Sequence, residues 1–236
     1  MSSNPSPYDA IARLYDPWSA SVTEDVEFYV EEALAAAGPV VELACGTGRI
    51  AVPIARSGVR LIGVDASPAM LEVAREYAAA AGVELDLRLG DMREPPVAER
   101  VPLVLIPFRS LLHMTSEPDR LRALRAAREL LVPGGRLVFD VFAPSAEDVE
   151  DTDGRWLERE PGFFERAEWD QDERTLTLSV RRGDEASSML LAWLSPPEWR
   201  LLLDRAGFDV DAQWGWFDRR PYAGGEDVVF AARRRD

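Results

Sequence analysis

The chain has 236 residues, of which 47% are hydrophobic, so it can bury one sizeable core with an elaboration. Its formal net charge of −15 argues against a nucleic-acid partner, because binding a polyanion needs a basic face. All 27 basic residues are arginine, which excludes a lysine Schiff base and a Walker-type phosphate loop. One histidine and one cysteine cannot form a Cys/His zinc cluster or a disulfide within the chain.

Membrane and export signals are also missing from the sequence. It contains no run of about 18 or more apolar residues and no leader that is basic and then apolar. We therefore expect a soluble, cytoplasmic protein with no membrane partner and no metal. A small organic cofactor is expected to supply its chemistry.

In chain order, the first 38 residues are predicted to form two helices that end at Gly38-Pro39. Strand-like and helix-like segments then alternate with short loops, which predicts a parallel sheet with helices on both faces. The predicted strands are residues 40–43, 60–64, 84–89, 101–106 and 136–142, and the predicted helices are 49–57, 67–81 and 117–131.

The pattern changes after residue 144. Residues 145–154 are strongly acidic and are predicted to form an exposed loop. Three antiparallel strands are predicted next, within 163–169, 174–182 and 188–194. A capped helix at 195–207 and a hairpin of strands 208–217 and 227–233 complete the main sheet.

The predicted fold class is therefore α/β, a Rossmann-like, mostly parallel seven-stranded sheet with a small antiparallel β insert after the fifth strand. The main domain would span 39–144 and 195–236, and the insert 145–194. The insert would either cover substrate or form a homodimer interface, and both interpretations stay open.

The most informative stretch is the turn after the first strand, Val-Val-Glu-Leu-Ala-Cys-Gly-Thr-Gly at residues 40–48. Gly46 and Gly48 let backbone approach a ligand closely, and the helix that follows offers unpaired N–H groups. Glu42 has little use beside a pyrophosphate, whereas a ligand with an ammonium group would pair with it. These residues predict a site for a nucleoside that carries an amino acid.

The second and third predicted strands also end in side chains that could bind parts of a nucleoside. Asp65 lies 17 residues after Gly48, where a carboxylate can accept both ribose hydroxyls. Gly90-Asp91-Met92 follows the third strand and offers an acid for an exocyclic amine and an apolar side chain for a ring face. Gly-x-Gly-x-x-Ala at 46–51 also fits a dinucleotide fingerprint, and Glu42 together with residues 90–92 favours the methionine nucleoside instead.

Taken together, these motifs resemble those of the class I S-adenosylmethionine-dependent methyltransferases. The resemblance covers about residues 8–143 and includes Pro133-Gly134-Gly135 before the fifth strand. The insert and the final hairpin resemble the small-molecule branch, which includes glycine-type and amino-sugar N-methyltransferases. The resemblance implies that S-adenosylmethionine is the cofactor and that residues 1–38 form a lid.

Site residues follow from the same resemblance. The loop Ala44–Gly48 would hold the methionine moiety, Asp65 the ribose, and Met70 with Asp91-Met92 the adenine, while Tyr15 would lie over the cofactor. The full predicted cofactor set is Tyr15, Glu42, Ala44, Cys45, Gly46, Gly48, Asp65, Ala66, Met70, Asp91, Met92 and Pro107.

The methyl acceptor is expected beside the fourth strand. The predicted substrate residues are Phe108, Arg109, His113, Trp216 and Phe217. His113 is also the candidate catalytic base, because an unperturbed imidazole titrates near neutrality. A structural role for His113 and a surface salt bridge for Arg109 are the alternatives.

The predicted function is methyl transfer to a nitrogen or oxygen of a small metabolite, with amines ahead because an acidic protein favours cationic ligands. A nicotinamide-dependent oxidoreductase and a non-catalytic module that binds S-adenosylmethionine are the alternatives.

Overall fold

The computed structural model describes residues 7–19 and 21–236. Its main feature is a seven-stranded sheet with the strand order β10-β11-β5-β4-β1-β2-β3. The strands are β1 Val40–Leu43, β2 Leu61–Asp65, β3 Asp86–Leu89, β4 Val101–Ile106, β5 Leu131–Phe142, β10 Phe208–Trp214 and β11 Asp227–Arg234. Strands β1 to β5 pair in parallel, and β11 pairs antiparallel with both β5 and β10.

Helices cover both faces of this sheet. They are α1 Ala12–Trp18, α2 Glu24–Ala35, α3 Ala51–Arg56, α4 Pro68–Ala81, α5 Glu117–Leu130 and α7 Pro196–Ala206. Alternate residues of β1 enter different cores: Val41 joins the cluster that contains Trp199 of α7, and Val40 joins the one that contains Phe28 of α2. Because strand side chains alternate between faces, continuous apolar strands are what a sheet covered on both sides requires.

Helix α4 shows how the sequence fixes an element that borders the site. Ser67 caps it by accepting a hydrogen bond from the Met70 N–H at 3.1 Å, and Pro68 occupies its first position. Gly82 ends it in the left-handed conformation (φ 68°). The end of β2 and the start of α4 are therefore held in one tight turn.

The insert consists of helix α6 Ala146–Thr152 and a separate antiparallel sheet of β6 Trp156–Glu160, β7 Phe163–Asp170, β8 Thr175–Arg182 and β9 Glu185–Ala192. The predicted fold class is confirmed, and two details of the insert were wrong. Residues 145–154 are not simply an exposed loop, because Ser145 and Asp148 form a reciprocal capping box that starts α6. The sheet also has a fourth strand, β6, whose mostly charged sequence hides its strand character.

The N-terminal region holds a short 3-10 helix at Pro7–Ala10 followed by α1 and α2. Residues 1–6 and 20 of the predicted 1–38 segment lie outside the described residues. Within residues 7–19 and 21–236, no helix combines the length and the apolar character needed to cross a membrane.

Candidate functional site

A cavity of about 440 Å³ opens where β1, β2, β3 and β4 end. This is the edge at which ligands bind in open α/β sheets. Its walls are Tyr8, Tyr15, Ala44, Gly46, Asp65, Ala66, Met70, Gly90, Asp91, Met92, Phe108, Ser110, His113, Met114, Thr115 and Leu190. Most of the predicted cofactor residues therefore meet in one place.

Asp65 organises one end of the cavity. Its Oδ2 accepts a hydrogen bond from the Gly46 N–H at 2.8 Å, and its Oδ1 accepts one from the Ser67 N–H at 2.8 Å. Burial raises the pKa of Asp65, and these two backbone hydrogen bonds oppose that shift. Each carboxylate oxygen has a second lone pair, so Asp65 can still accept two ligand hydroxyls.

The glycine turn itself adopts left-handed backbone at Ala44 (φ 59°), Gly46 (φ 56°) and Gly48 (φ 84°). A β-carbon on Gly46 would meet no atom within 4 Å, so its face toward the cavity is open. Gly48 does not line the cavity, because a β-carbon there would contact Val52 and Ala74. Gly46 thus serves close approach of a ligand, whereas Gly48 serves helix packing.

Glu42 lies at β1 beside this turn and is only 2% exposed, so it does not line the cavity wall. Its Oε2 has no hydrogen-bond partner among the residues that the structure describes. Burial raises the pKa of Glu42 well above its ordinary value, although the Arg49 guanidinium opposes this. A buried carboxylate oxygen without a partner carries a desolvation cost that a ligand N–H donor would relieve.

Asp91 lines the same cavity together with Met70 and Met92. Arg93 grips it, with Nη2 2.5 Å from Oδ2, and also donates to Asp119. Partial burial acts to raise the pKa of Asp91, but the hydrogen bonds from Arg93 outweigh it and lower the pKa. Asp91 is therefore an ionised acceptor at neutral pH, flanked by two apolar side chains.

The N-terminal segment (residues 7–19) closes over the cavity through polar contacts. The Ser67 hydroxyl donates to Asp9 at 2.5 Å, and the Thr47 hydroxyl donates to Asp16 at 2.7 Å. The Trp18 indole N–H donates to Glu165 of the insert at 3.2 Å. The segment is thus fastened to the glycine turn, to α4 and to β7.

His113 and Tyr8 face each other within the cavity. Tyr8 Oη lies 3.0 Å from His113 Nε2, and the two rings meet edge to face with centroids 5.4 Å apart. Burial lowers the pKa of His113 to about 4 and raises that of Tyr8. Both side chains are therefore uncharged at neutral pH.

Two aromatic rings complete this end of the cavity. The Tyr15 ring lies edge to face with the rings of Tyr8 and Phe108, at centroid distances of 5.7 and 6.2 Å. Phe108 belongs to the loop after β4, and the Arg49 guanidinium lies 4.5 Å from its ring centroid. Leu190 of β9 adds an apolar contact from the insert.

Three predicted substrate residues require correction. Arg109 turns away from the cavity, because it pairs with Asp227 at 2.7 Å and stacks on Phe142. Trp216 lines a separate groove by the final hairpin. Phe217 is partly buried and packs against the rings of Phe28 and Tyr29.

Two predicted cofactor residues also lie outside the cavity wall. Pro107 is buried at the end of the fourth strand and leaves the wall to Phe108. Cys45 is buried against Gly63, where a β-carbon would lie 2.8 Å from its Sγ. Both residues support the loops from inside the core.

Sequence reasoning missed Tyr8, Ser110 and Leu190 as cavity residues, and it missed Asp140 behind them. The Asp140 carboxylate accepts hydrogen bonds from the Tyr29 hydroxyl and from the N–H groups of Phe108 and Arg109. Asp140 was findable, because a carboxylate inside an apolar strand indicates a buried polar contact. Leu190 carries no such signal, since strand alternation alone does not tell which face meets a cavity.

Comparison with known proteins agrees with this geometry. A family profile described as "Methyltransferase domain" matches residues 40–135. The solved structure of the CcbJ methyltransferase from Streptomyces caelestis is 28% identical, with a TM-score of 0.86 over 100% of both chains.

Two curated relatives match over shorter stretches. The putative methyltransferase YqeM of Bacillus subtilis (strain 168) is 30% identical over 138 residues, which is 58% of this chain and 56% of the relative. A ubiquinone biosynthesis O-methyltransferase of Cereibacter sphaeroides is 31% identical over 122 residues, which is 50% of this chain and 48% of the relative. The chain thus spans about half the length of the curated relatives it matches.

These similarities favour S-adenosylmethionine over a dinucleotide as the ligand of the glycine turn. With fold, cavity and relatives in agreement, residues 40–135 form a methyltransferase domain, and the chain has the class I fold of S-adenosylmethionine-dependent methyltransferases, whose cofactor is S-adenosylmethionine.

Proposed function

We propose that this protein transfers the methyl group of S-adenosylmethionine to a nitrogen or oxygen atom of a small metabolite, with an amine favoured. The observation that carries the proposal is the continuity of the cavity. The glycine turn, Asp65 and Asp91 share one lining with Tyr8, Phe108 and His113. One continuous space can therefore hold donor and acceptor side by side.

Several of the residues in and beside this lining fit the cofactor by their chemistry. Asp65 can accept the ribose hydroxyls, and Asp91 with Met70 and Met92 suits the adenine edge and face. Glu42 offers its unpartnered oxygen to the ammonium group. When bound, S-adenosylmethionine supplies an electrophilic methyl group on a sulfonium.

The protein's main contribution is then alignment. Transfer of a methyl group needs the acceptor in line with the bond that breaks, and positioning of this kind can supply about 7–11 kcal/mol of a barrier. Tyr15 and Phe108 line the cavity as a pair of rings in edge-to-face contact, and Leu190 of the insert lines it as well. We propose that residues 7–19 act as a lid and that the insert excludes water from the acceptor.

His113 is proposed to orient the acceptor and to receive its proton. With a pKa of about 4, its imidazole is neutral and keeps a lone pair available at neutral pH. The same low pKa makes it a weak base, so orientation is the larger part of its role. The nearby Tyr8 hydroxyl is the partner through which a ring nitrogen keeps its direction.

An amine fits these walls better than an oxygen acceptor does. A nitrogen acceptor gains positive charge as the methyl group arrives, and the faces of aromatic rings attract cations by about 0.5–2 kcal/mol. Tyr8 and Tyr15 provide such rings.

The test is transfer of radiolabelled methyl groups from S-adenosylmethionine into an extract of small metabolites. We expect label in a low-molecular-weight product, and mass spectrometry with fragmentation will tell N-methyl from O-methyl. Label in nucleic acid or protein would contradict the acceptor class. Tight binding of S-adenosylmethionine without any labelled product would favour a non-catalytic module.

A further inference from the structure

Asp140 is a buried carboxylate at the edge of the site, and the methyl-transfer chemistry does not use it directly. It lies in β5 opposite Val229 of β11 and is 6% exposed. Its Oδ1 accepts from the Tyr29 hydroxyl at 2.6 Å and from the Phe108 N–H at 2.7 Å, and its Oδ2 accepts from the Arg109 N–H at 3.0 Å. Hydrogen bonds to a carboxylate are about twice as strong as neutral ones, so this is a firm contact.

The loop that Asp140 holds has an unfavourable backbone. Phe108 (φ 56°) and Arg109 (φ 60°) are consecutive and left-handed, although neither is glycine. Such a conformation costs about 1–2 kcal/mol per residue, so it persists only where surrounding contacts enforce it. The Asp140 carboxylate contacts the backbone N–H of both residues, which makes it the contact that can do so.

This conformation decides where two cavity residues lie. The Phe108 ring lines the cavity and receives the Arg49 guanidinium, which Asp25 holds with two hydrogen bonds of 2.7 and 2.6 Å. Arg109 also occupies the N-cap position of the 3-10 helix Ser110–His113, so its backbone directs the start of that helix. An extended backbone at residues 108 and 109 would redirect both the Phe108 ring and the helix that carries His113.

From this geometry we infer that Asp140 is a positioning residue, whose carboxylate holds the Phe108–Arg109 turn so that the Phe108 ring and His113 face the cavity. The inference rests on the proposed function of that cavity. Charged and titratable groups around Asp140 are Tyr29, Asp25, Arg49 and Arg109. Burial raises the pKa of Asp140 to about 6, which the Tyr29 hydrogen bond and Arg109 oppose.

A merely structural role for Asp140 makes a different prediction from a positioning role. Glycine adopts the left-handed conformation without the cost that a β-carbon brings, whereas alanine does not. Arg109→Gly and Arg109→Ala both remove the ion pair with Asp227, so they differ only in this backbone freedom. Glycine should therefore replace part of what the carboxylate does, and alanine should not.

The experiment measures the affinity of the full chain for S-adenosylmethionine by isothermal titration calorimetry. We expect Asp140→Asn to weaken binding by about tenfold or more, because its amide cannot accept from both N–H groups. The D140N/R109G pair should recover to within about threefold of R109G alone, and D140N/R109A should stay as weak as D140N. Tyr29→Phe, which keeps both backbone contacts, should bind within about threefold of wild type.

Two results would overturn the inference: wild-type affinity in D140N, or equal recovery with R109A and R109G. If D140N does not fold, Asp140→Glu takes its place with the same two partners, because its longer side chain displaces both oxygens from the turn. Wild-type protein that takes up no S-adenosylmethionine would refute the proposed function. If wild type binds S-adenosylmethionine and D140N binds it equally well, only this inference is refuted.

Discussion

His113 lines the cavity, and we propose that it meets the acceptor's proton. Replacing it with alanine should lower turnover by about 10²–10⁴-fold if it receives that proton, and by less if it only orients the acceptor. The affinity for S-adenosylmethionine should change little, because the glycine turn and Asp65 are the residues that we propose to hold the cofactor. Saturation kinetics for H113A, with Tyr8→Phe as the companion variant, check this expectation. Unchanged turnover in H113A would remove His113 from the mechanism.

Glu42 is expected to support cofactor binding without adding to the stability of the cofactor-free protein. Glu42→Gln replaces a buried carboxyl group whose Oε2 has no partner among the described residues, so the protein without cofactor should unfold at the same or a higher urea concentration. Its affinity for S-adenosylmethionine should fall by about ten- to a hundredfold, since the bond to the ammonium group loses its charge. Glu129→Gln, on an exposed carboxylate, is the control. An affinity that survives E42Q would show that Glu42 serves the fold only.

Residue identity alone predicted part of the site. Asp65, Asp91 and Met92 could be placed because each directly follows a strand, and strand ends share one edge of the sheet. The position of the Arg109 side chain could not be predicted. It depends on a left-handed backbone, and a residue other than glycine gives no sequence signal for that conformation. Trp216 was misplaced for a similar reason, since its position depends on how the final hairpin bends.

At the scale of elements, closure of the N-terminal segment depends on a few polar contacts. Thr47→Val removes the hydroxyl that donates to Asp16 and leaves that carboxylate without this bond, which costs about 1–3 kcal/mol. We expect S-adenosylhomocysteine to leave T47V about ten- to a hundredfold faster.

Stopped-flow displacement measures this rate, and Arg13→Gln supplies the control. Arg13 pairs with Glu76 on the surface with both side chains about half exposed or more, so losing that pair should matter little. Equal release rates in wild type, T47V and R13Q would contradict the view that the Thr47 contact keeps the segment closed.

Elements with a strong local signal were predictable, and those that depend on distant partners were not. The Ser-Pro starts of α4 and α5 and the apolar strands β1, β2 and β4 follow from capping and periodicity. Strand β6 was not predicted, because Trp156–Glu160 is mostly polar and forms a strand only through its pairing with β7. Helix α6 was not predicted, because a strongly acidic run also fits a solvated loop, although this one carries a capping box.

For the whole molecule, burial of His113 makes stability depend on pH. Its pKa falls from 6.5 to about 4 on folding, so the unfolded chain binds a proton that the folded chain refuses. This contribution is fully present above pH 6.5 and is lost as the pH falls toward 4. Against His113→Gln, which cannot titrate, wild type should lose on the order of 3 kcal/mol of unfolding free energy across that window.

Urea titrations of both proteins at several pH values measure this difference, and taking a difference cancels the groups that titrate in both. A gap between wild type and H113Q that stays constant from pH 7 to pH 4 would contradict the burial of a neutral imidazole.

The arrangement of the whole sheet was predictable because βα alternation leaves few topologies. The seven strands, the antiparallel final hairpin and the insert after β5 were all expected and are all present. How the insert and the N-terminal segment close over the cavity was not predictable. Those contacts, such as Trp18 with Glu165, join residues far apart in the chain.

The most direct test of the account is equilibrium dialysis of S-adenosylmethionine and of NAD against wild type, Asp65→Asn and the surface control Asp204→Asn. We predict that wild type and D204N take up S-adenosylmethionine equally and take up no NAD. D65N should bind about ten- to a hundredfold more weakly, because an amide cannot accept both ribose hydroxyls while holding the glycine turn. Uptake of NAD in place of S-adenosylmethionine, or undiminished binding by D65N, would contradict the account.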